Sequence, residues 1–193
     1  MNNTQSYWEN RYKNGQTGWD MQKVSPPLKT YVDQLNDKTL KILIPGAGNA
    51  HEAEYLYQKG FKNIFVADIA KTPLKNLKTR IPEFPQDQLL HTDFFDIEDT
   101  FDLIIEQTFF CALPPQLRPK YAQKMNQLLK PNAKLVGLLF NFPLTDDGPP
   151  FGGSMAEYKN YFKELFDLEI LEPCYNSYPK RQGNELFFKF LKK

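Results

Sequence analysis

The sequence predicts an α/β protein built on a mainly parallel, seven-stranded sheet with an antiparallel pair at its C-terminal edge. Three observations lead there. From residue 40 onward, short apolar runs alternate with stretches of helical spacing. The runs are too apolar to leave one face wet, as strands buried under helices on both sides must be. The last two runs, LFDLEILEP and NELFFKFLKK, are separated only by Cys174 to Gly183, too short for a crossover helix.

Taken in order, residues 1–35 read as a helix, a loop and a second helix, with Tyr7, Trp8, Tyr12 and Trp19 interleaved with charges. Ser25 is expected to cap the second helix, which carries Pro26 and Pro27 in its first turn. Leu40 to Ile44 predicts a strand running into a Pro-Gly turn. NAHEAEYLYQKG then predicts a helix stopped by Gly60. NIFVADI is the second strand, KTPLKNLKTRIP a helix ended by Pro82, and QLLHTDFF the third strand. FDLIIEQ, a helix from about Pro115 to Leu129, and KLVGLLF continue the alternation. Glu157, Lys159, Lys163 and Glu164 read as the solvated face of a late helix.

The chain has 24 Lys+Arg against 23 Asp+Glu, a net charge of +1, which gives no driving force for polyanion binding, so no nucleic-acid partner is expected. Its 41% hydrophobic content, with 16 Phe and 10 Tyr, is enough for one core, and residues 1–193 are expected to form a single domain. Two cysteines, Cys111 and Cys174, are too few and too far apart for a disulfide framework or a metal site. No secretory h-region and no membrane-length apolar run is evident. A cytoplasmic protein, monomeric and without a metal, is expected.

Gly46-Ala47-Gly48 follows the first strand and opens a helix, and Asp68 ends the next strand 20 residues beyond Gly48. Glycines there let a ligand approach the backbone at a helix N-terminus, and the acid accepts hydrogen bonds from ribose hydroxyls. A nucleoside site is the functional reading; an ordinary glycine turn is the plain one. The third glycine of a dinucleotide fingerprint falls at His51, beside Glu52, which disfavours NAD. Asp93 and Phe94 follow the third strand, where they are placed to meet an adenine's exocyclic amine and ring face, or to be a turn aspartate beside core aromatics. Glu106 and Gln107 end the fourth strand with polar groups in the same way.

Several segments narrow this further. Tyr7-Trp8-Glu9-x-Arg11-Tyr12-x-x-Gly15-x-Thr17-Gly18-Trp19-Asp20, Ser25-Pro26-Pro27-Leu28, Ile44-Pro45-Gly46-Ala47-Gly48, Phe101-Asp102-Leu103-Ile104-x-Glu106-Gln107-Thr108-Phe109-Phe110-Cys111-Ala112 and Gly148-Pro149-Pro150-Phe151 run in order through nearly the whole chain. Together they resemble the thiopurine S-methyltransferase superfamily of class I S-adenosylmethionine-dependent methyltransferases, and most of all its thiol/halide branch. The resemblance implies a Rossmann-like fold in which residues 1–35 form an aromatic lid over a core of residues 36–193. It implies S-adenosylmethionine as cofactor, with S-adenosylhomocysteine as product. Trp8, Tyr12 and Trp19 would meet the methionine and sulfonium, Gly46 and Gly48 the turn side, Asp68 the ribose, and Asp93 and Phe94 the adenine. Gln107 joins the same set, and Trp19 would also face the acceptor. The thiopurine enzymes carry a basic residue near Gln107, so a thiol, thiocyanate or halide acceptor is favoured over a thiopurine.

A sulfonium is a cation without hydrogen-bond donors, and an aromatic face is worth ~0.5–2 kcal/mol to such a charge. Against this, Trp8, Tyr12 and Trp19 also fit a helix stripe packed on the core. Methyl transfer is an in-line displacement that needs alignment and water exclusion more than a catalytic side chain. No Ser/His/Asp or Cys/His constellation stands out, so no catalytic residue is assigned. His51 and His91 read as ordinary partly buried histidines, and Cys111 as inert packing. The competing functions are an NAD-type oxidoreductase and a catalytically silent nucleoside-binding regulatory domain.

Overall fold

The structure, a computed structural model, describes residues 4–193; residues 1–3 of the predicted lid segment lie outside the described residues. A seven-stranded sheet runs β3-β2-β1-β4-β5-β7-β6 with helices around it, mostly parallel and antiparallel at its C-terminal strands. The chain forms two compact units, one ending at Ile97 and one spanning Glu98–Lys193.

In the first unit, β1 (Ile42–Pro45) pairs in parallel with β2 (Ile64–Asp68), and β2 with β3 (Leu89–His91). All four residues of β1 are buried, as the apolar run predicts. β3 is the exception: only three residues long, it has no buried residue. The predicted strand stops there because Asp93 caps a short 3₁₀ turn at Phe94–Asp96. The helices are α1 (Gln5–Lys13), α2 (Pro26–Val32), α3 (His51–Gln58) and α4 (Lys71–Arg80). Ser25 precedes α2 but makes no side-chain cap. Its backbone N–H instead donates to Glu52 Oε1 at 3.0 Å. The helix needs little capping, because Pro26 and Pro27 have no N–H to satisfy.

In the second unit, β4 (Phe101–Gln107) pairs in parallel with β5 (Leu129–Phe140), and β7 (Glu185–Lys192) lies antiparallel between β5 and β6 (Phe166–Pro173). β5 starts earlier than predicted. Its register jumps between Phe101 and Leu103 of β4, across Pro131, which lacks an N–H, and Asn132, whose φ is 61°. The helix predicted from Pro115 begins as a 3₁₀ turn (Pro115–Leu117) and becomes α5 over Arg118–Leu128. α6 spans Met155–Phe162. Its Glu157 is not a purely solvated residue, since it receives Arg118 Nη1 at 2.8 Å. Among the described residues, no helix is long and apolar enough to cross a membrane.

Candidate functional site

In the first unit the end of β1 turns through Gly46 and Gly48, whose φ values of 53° and 56° put both in the left-handed region open to glycine. A Cβ on Gly48 would stand 2.8 Å from Tyr12 Oη and 3.9 Å from Trp19 Nε1, so α1 and the loop after it lie against this turn. Asp68, the last residue of β2, is 7% exposed. Its Oδ2 accepts the Gly48 N–H at 2.9 Å and its Oδ1 the Ala70 N–H at 2.8 Å. Each oxygen therefore keeps acceptor capacity. Burial raises its carboxyl to about 6, against the pull of those two N–H donors.

The aromatic residues form a connected group. Trp19 meets Trp8 edge-to-face at 5.5 Å between centroids and Tyr12 at 5.7 Å. Burial, and the Asp68 charge behind it, push the Tyr12 phenol well above its ordinary range. The Arg11 guanidinium sits 5.3 Å from the Trp19 ring centroid. In α1, Trp8 and Tyr12 are half-buried and pack edge-to-face on Trp19.

Two acids tie this aromatic segment down, one at the start of α4 and one at the residues following the glycine turn. Glu9 accepts the N–H groups of Lys71 and Thr72 at 2.9 and 3.0 Å through Oε2, and the Thr72 hydroxyl at 2.6 Å through Oε1. It thus caps α4 from a different helix. The Thr72 hydroxyl is the main reason its carboxyl falls to about 2. Asp20 pairs with His51 Nε2 at 2.8 Å and accepts Asn49 Nδ2 at 2.5 Å and the Gln22 N–H at 2.7 Å. Burial alone would raise the Asp20 carboxyl, but these bonds outweigh it and hold it at about 2. His51 is thus the partly buried, paired histidine expected.

Asp93 is exposed, and its Oδ1 accepts the Phe95 N–H at 2.9 Å. Phe94 is 5% exposed and packs edge-to-face on Phe95. Gln107, in the second unit, ends β4 and is 9% exposed, with no hydrogen-bond partner for either its amide nitrogen or its oxygen. Beside it Glu106 turns inward, fully buried. Its Oε1 accepts the Phe109 and Phe110 N–H groups at 2.7 and 2.9 Å, and its Oε2 the Tyr121 hydroxyl at 2.5 Å. Burial raises this carboxyl to about 7. The bonds fix the turn through Thr108, whose φ is 57°. Burial, with Glu106 adding to it, pushes the Cys111 thiol up to about 12, so it stays protonated and inert at neutral pH.

The chain matches the family model of thiopurine S-methyltransferase over residues 3–187. It belongs to the thiopurine S-methyltransferase family. Among curated members, Probable thiol methyltransferase 2 of Arabidopsis thaliana is 32% identical over 81% of this chain and 71% of its own length. Thiocyanate methyltransferase 1 of Brassica oleracea is 27% identical over 92% and 81%. Thiopurine S-methyltransferase of Vibrio cholerae is 27% identical over 81% and 79%. The fold is shared with the 1,6-didemethyltoxoflavin-N1-methyltransferase of Burkholderia thailandensis, solved with its substrate and S-adenosylhomocysteine. That likeness has a TM-score of 0.78 at 15% identity, over 98% of this chain and 87% of that one. Family membership makes this an S-adenosylmethionine-dependent methyltransferase with small-molecule acceptors, as the motifs predict.

Of the predicted site residues, the structure gathers Trp8, Tyr12, Trp19, Gly46, Gly48 and Asp68 around one turn of the first unit. Asp93 and Phe94 follow β3 in that unit. Sequence reading passed over Glu9, which lies inside the aromatic motif. It also passed over Arg118, a fully buried cation whose Nη2 donates to the Gly152 carbonyl at 2.7 Å and whose guanidinium stacks 4.7 Å over Phe110. Only the polar context Glu9-x-Arg11 hinted at the first. Nothing local marks the second.

Proposed function

We propose that this family member methylates a thiol or another small soft nucleophile, thiocyanate or a halide, and does so as a cytoplasmic, monomeric, single-domain enzyme. The observation that carries the cofactor assignment is Asp68. It is a buried carboxylate at the end of β2, held by one N–H on each oxygen, with acceptor capacity left on both and Tyr12 across the adjoining glycine turn. That fits two vicinal ribose hydroxyls. Bound there, S-adenosylmethionine supplies a methyl group on a sulfonium already primed to leave.

The residues of the chain supply placement and dryness. Asp68 holds the ribose. Gly46 and Gly48 let the backbone come close, while Trp8, Tyr12 and Trp19 present ring faces and edges to the positive sulfur and keep water away. The Arg11 guanidinium lies over the Trp19 ring. Asp93 Oδ2, not used in capping, takes the adenine amine beside Phe94. Gln107, with both amide atoms unpartnered, offers a donor and an acceptor at the end of β4. The relatives named for thiols and thiocyanate support the acceptor class. A cofactor-discrimination melt tests the assignment. S-adenosylhomocysteine at a hundred times its Kd should stabilise the protein by about 2.7 kcal/mol, whereas NADH should leave the melting temperature unchanged. Stabilisation by NADH and not by S-adenosylhomocysteine contradicts it.

A further inference from the structure

α1 carries two neighbouring stripes. Trp8 and Tyr12, four residues apart, lie on one, and Gln5 and Glu9, also four apart, lie on the next. The first stripe stands at the glycine turn, where a Cβ on Gly48 would come 2.8 Å from Tyr12 Oη. The second docks on the loop between β2 and α4. Gln5 Nε2 is 3.0 Å from His91 Nε2, which is itself 3.1 Å from the Ile69 carbonyl oxygen. Glu9 takes the first turn of α4, accepting the Lys71 and Thr72 N–H groups and the Thr72 hydroxyl.

α4 cannot cap itself. The residue before it is Ala70, which makes no side-chain cap, and its first turn holds no acid. Three successive N–H groups there are divided between two carboxylates instead. Asp68 Oδ1 accepts that of Ala70, and Glu9 Oε2 accepts those of Lys71 and Thr72. One short stretch of backbone thus joins the acid read as the ribose ligand to the helix that carries Trp8 and Tyr12. The bonds from Glu9 are charge-assisted, because its carboxyl, drawn down to about 2 chiefly by the Thr72 hydroxyl, is ionised at neutral pH.

We propose that Glu9 is a positioning residue for the cofactor: by holding the first turn of α4 it fixes α1, and with it Trp8 and Tyr12, against the turn that carries Asp68. This rests on the cofactor site proposed above and deepens it. Glu9 itself touches neither cofactor nor acceptor. Without its carboxylate, α1 keeps its own helical bonds but loses those to α4, so the aromatic pair spreads over other placements. Affinity then falls in proportion to the molecules left in the competent one.

The chain's 2 tryptophans are Trp8 and Trp19, so intrinsic fluorescence reports on the aromatic segment alone. Acrylamide quenching of the unliganded protein and calorimetric titration with S-adenosylhomocysteine are compared for the wild type, Glu9→Ala, Glu9→Asp and Glu9→Gln. Gln keeps the shape, since its oxygen can accept both N–H groups and its amide can donate to the Thr72 hydroxyl. Asp keeps the charge but is one methylene too short. Glu9→Ala and Glu9→Asp should each raise quenching and weaken S-adenosylhomocysteine binding about tenfold, the effect of a competent population of roughly one tenth, with the circular-dichroism spectrum retained. Glu9→Gln should restore most of both. Unchanged quenching or unchanged affinity in Glu9→Ala overturns the role, as does a loss in Glu9→Gln equal to that in Glu9→Ala, which would make charge and not placement the cause. If Glu9→Ala does not fold, Glu9→Asp against Glu9→Gln decides in the same terms. A wild type that does not bind S-adenosylhomocysteine overturns the cofactor site and this role together, whereas a failure of the positioning role alone leaves wild-type binding in place.

Discussion

Asp68→Ala is expected to weaken S-adenosylhomocysteine binding about 10- to 150-fold, the loss of roughly 1.5–3 kcal/mol for hydrogen bonds to a charged acceptor, while the fold persists. The same residue gives the unliganded protein a pH signature. Its folded carboxyl titrates at about 6 against an ordinary 3.8, so the native state binds the extra proton. The stability it contributes is fully present below pH ~4 and is lost as pH rises through 6, up to about 3 kcal/mol for a shift near two units. Urea melts across that window should therefore fall more steeply in the wild type than in Asp68→Ala, and calorimetric titration with S-adenosylhomocysteine measures the affinity change. Parallel pH slopes together with unchanged affinity would remove Asp68 from the ribose site.

Arg118→Ala carries the largest expected stability effect. The guanidinium is wholly buried, pairs with Glu157, donates to the carbonyls of Phe151 and Gly152 and stacks on Phe110. Its removal strands those acceptors and opens a cavity, at a cost of about 3–5 kcal/mol. Chemical denaturation of the variant should show it directly. A loss below ~1 kcal/mol would mean that the Phe151-Gly152 segment is held by other contacts.

The strands were legible because burial on both faces leaves continuous apolar runs, and β1, β2 and β4 appear where LKILIP, NIFVADI and FDLIIEQ place them. The run QLLHTDFF misled at its end. Asp93 bonds its own backbone two residues on, which favours a turn over a continued strand. β5 was read short because Pro131 and Asn132 look like loop residues, and they are in fact looped out within it. The ribose-type acid and the glycine turn were legible because their spacing is local. Glu9 on α4, Asp20 on His51 and Arg118 on Glu157 were not. Each joins residues dozens of positions apart, and in every case the energetics depend on burial that only the packed chain defines. Ser25 shows the converse. A good cap residue in a good cap position has its N–H bound to a glutamate 27 residues away, because two prolines leave the helix little to cap.

The central claim is methyl transfer from S-adenosylmethionine to a small soft nucleophile, and isotope-labelled methyl transfer tests it most directly. The purified protein is given methyl-labelled S-adenosylmethionine with methanethiol, thiocyanate, iodide or a thiopurine in turn, and the methylated product and S-adenosylhomocysteine are quantified. The account predicts label on methanethiol, thiocyanate or iodide, in one-to-one yield with S-adenosylhomocysteine and with little on the thiopurine. Tight cofactor binding with no labelled product from any acceptor would contradict it and leave a nucleoside-binding domain without catalysis.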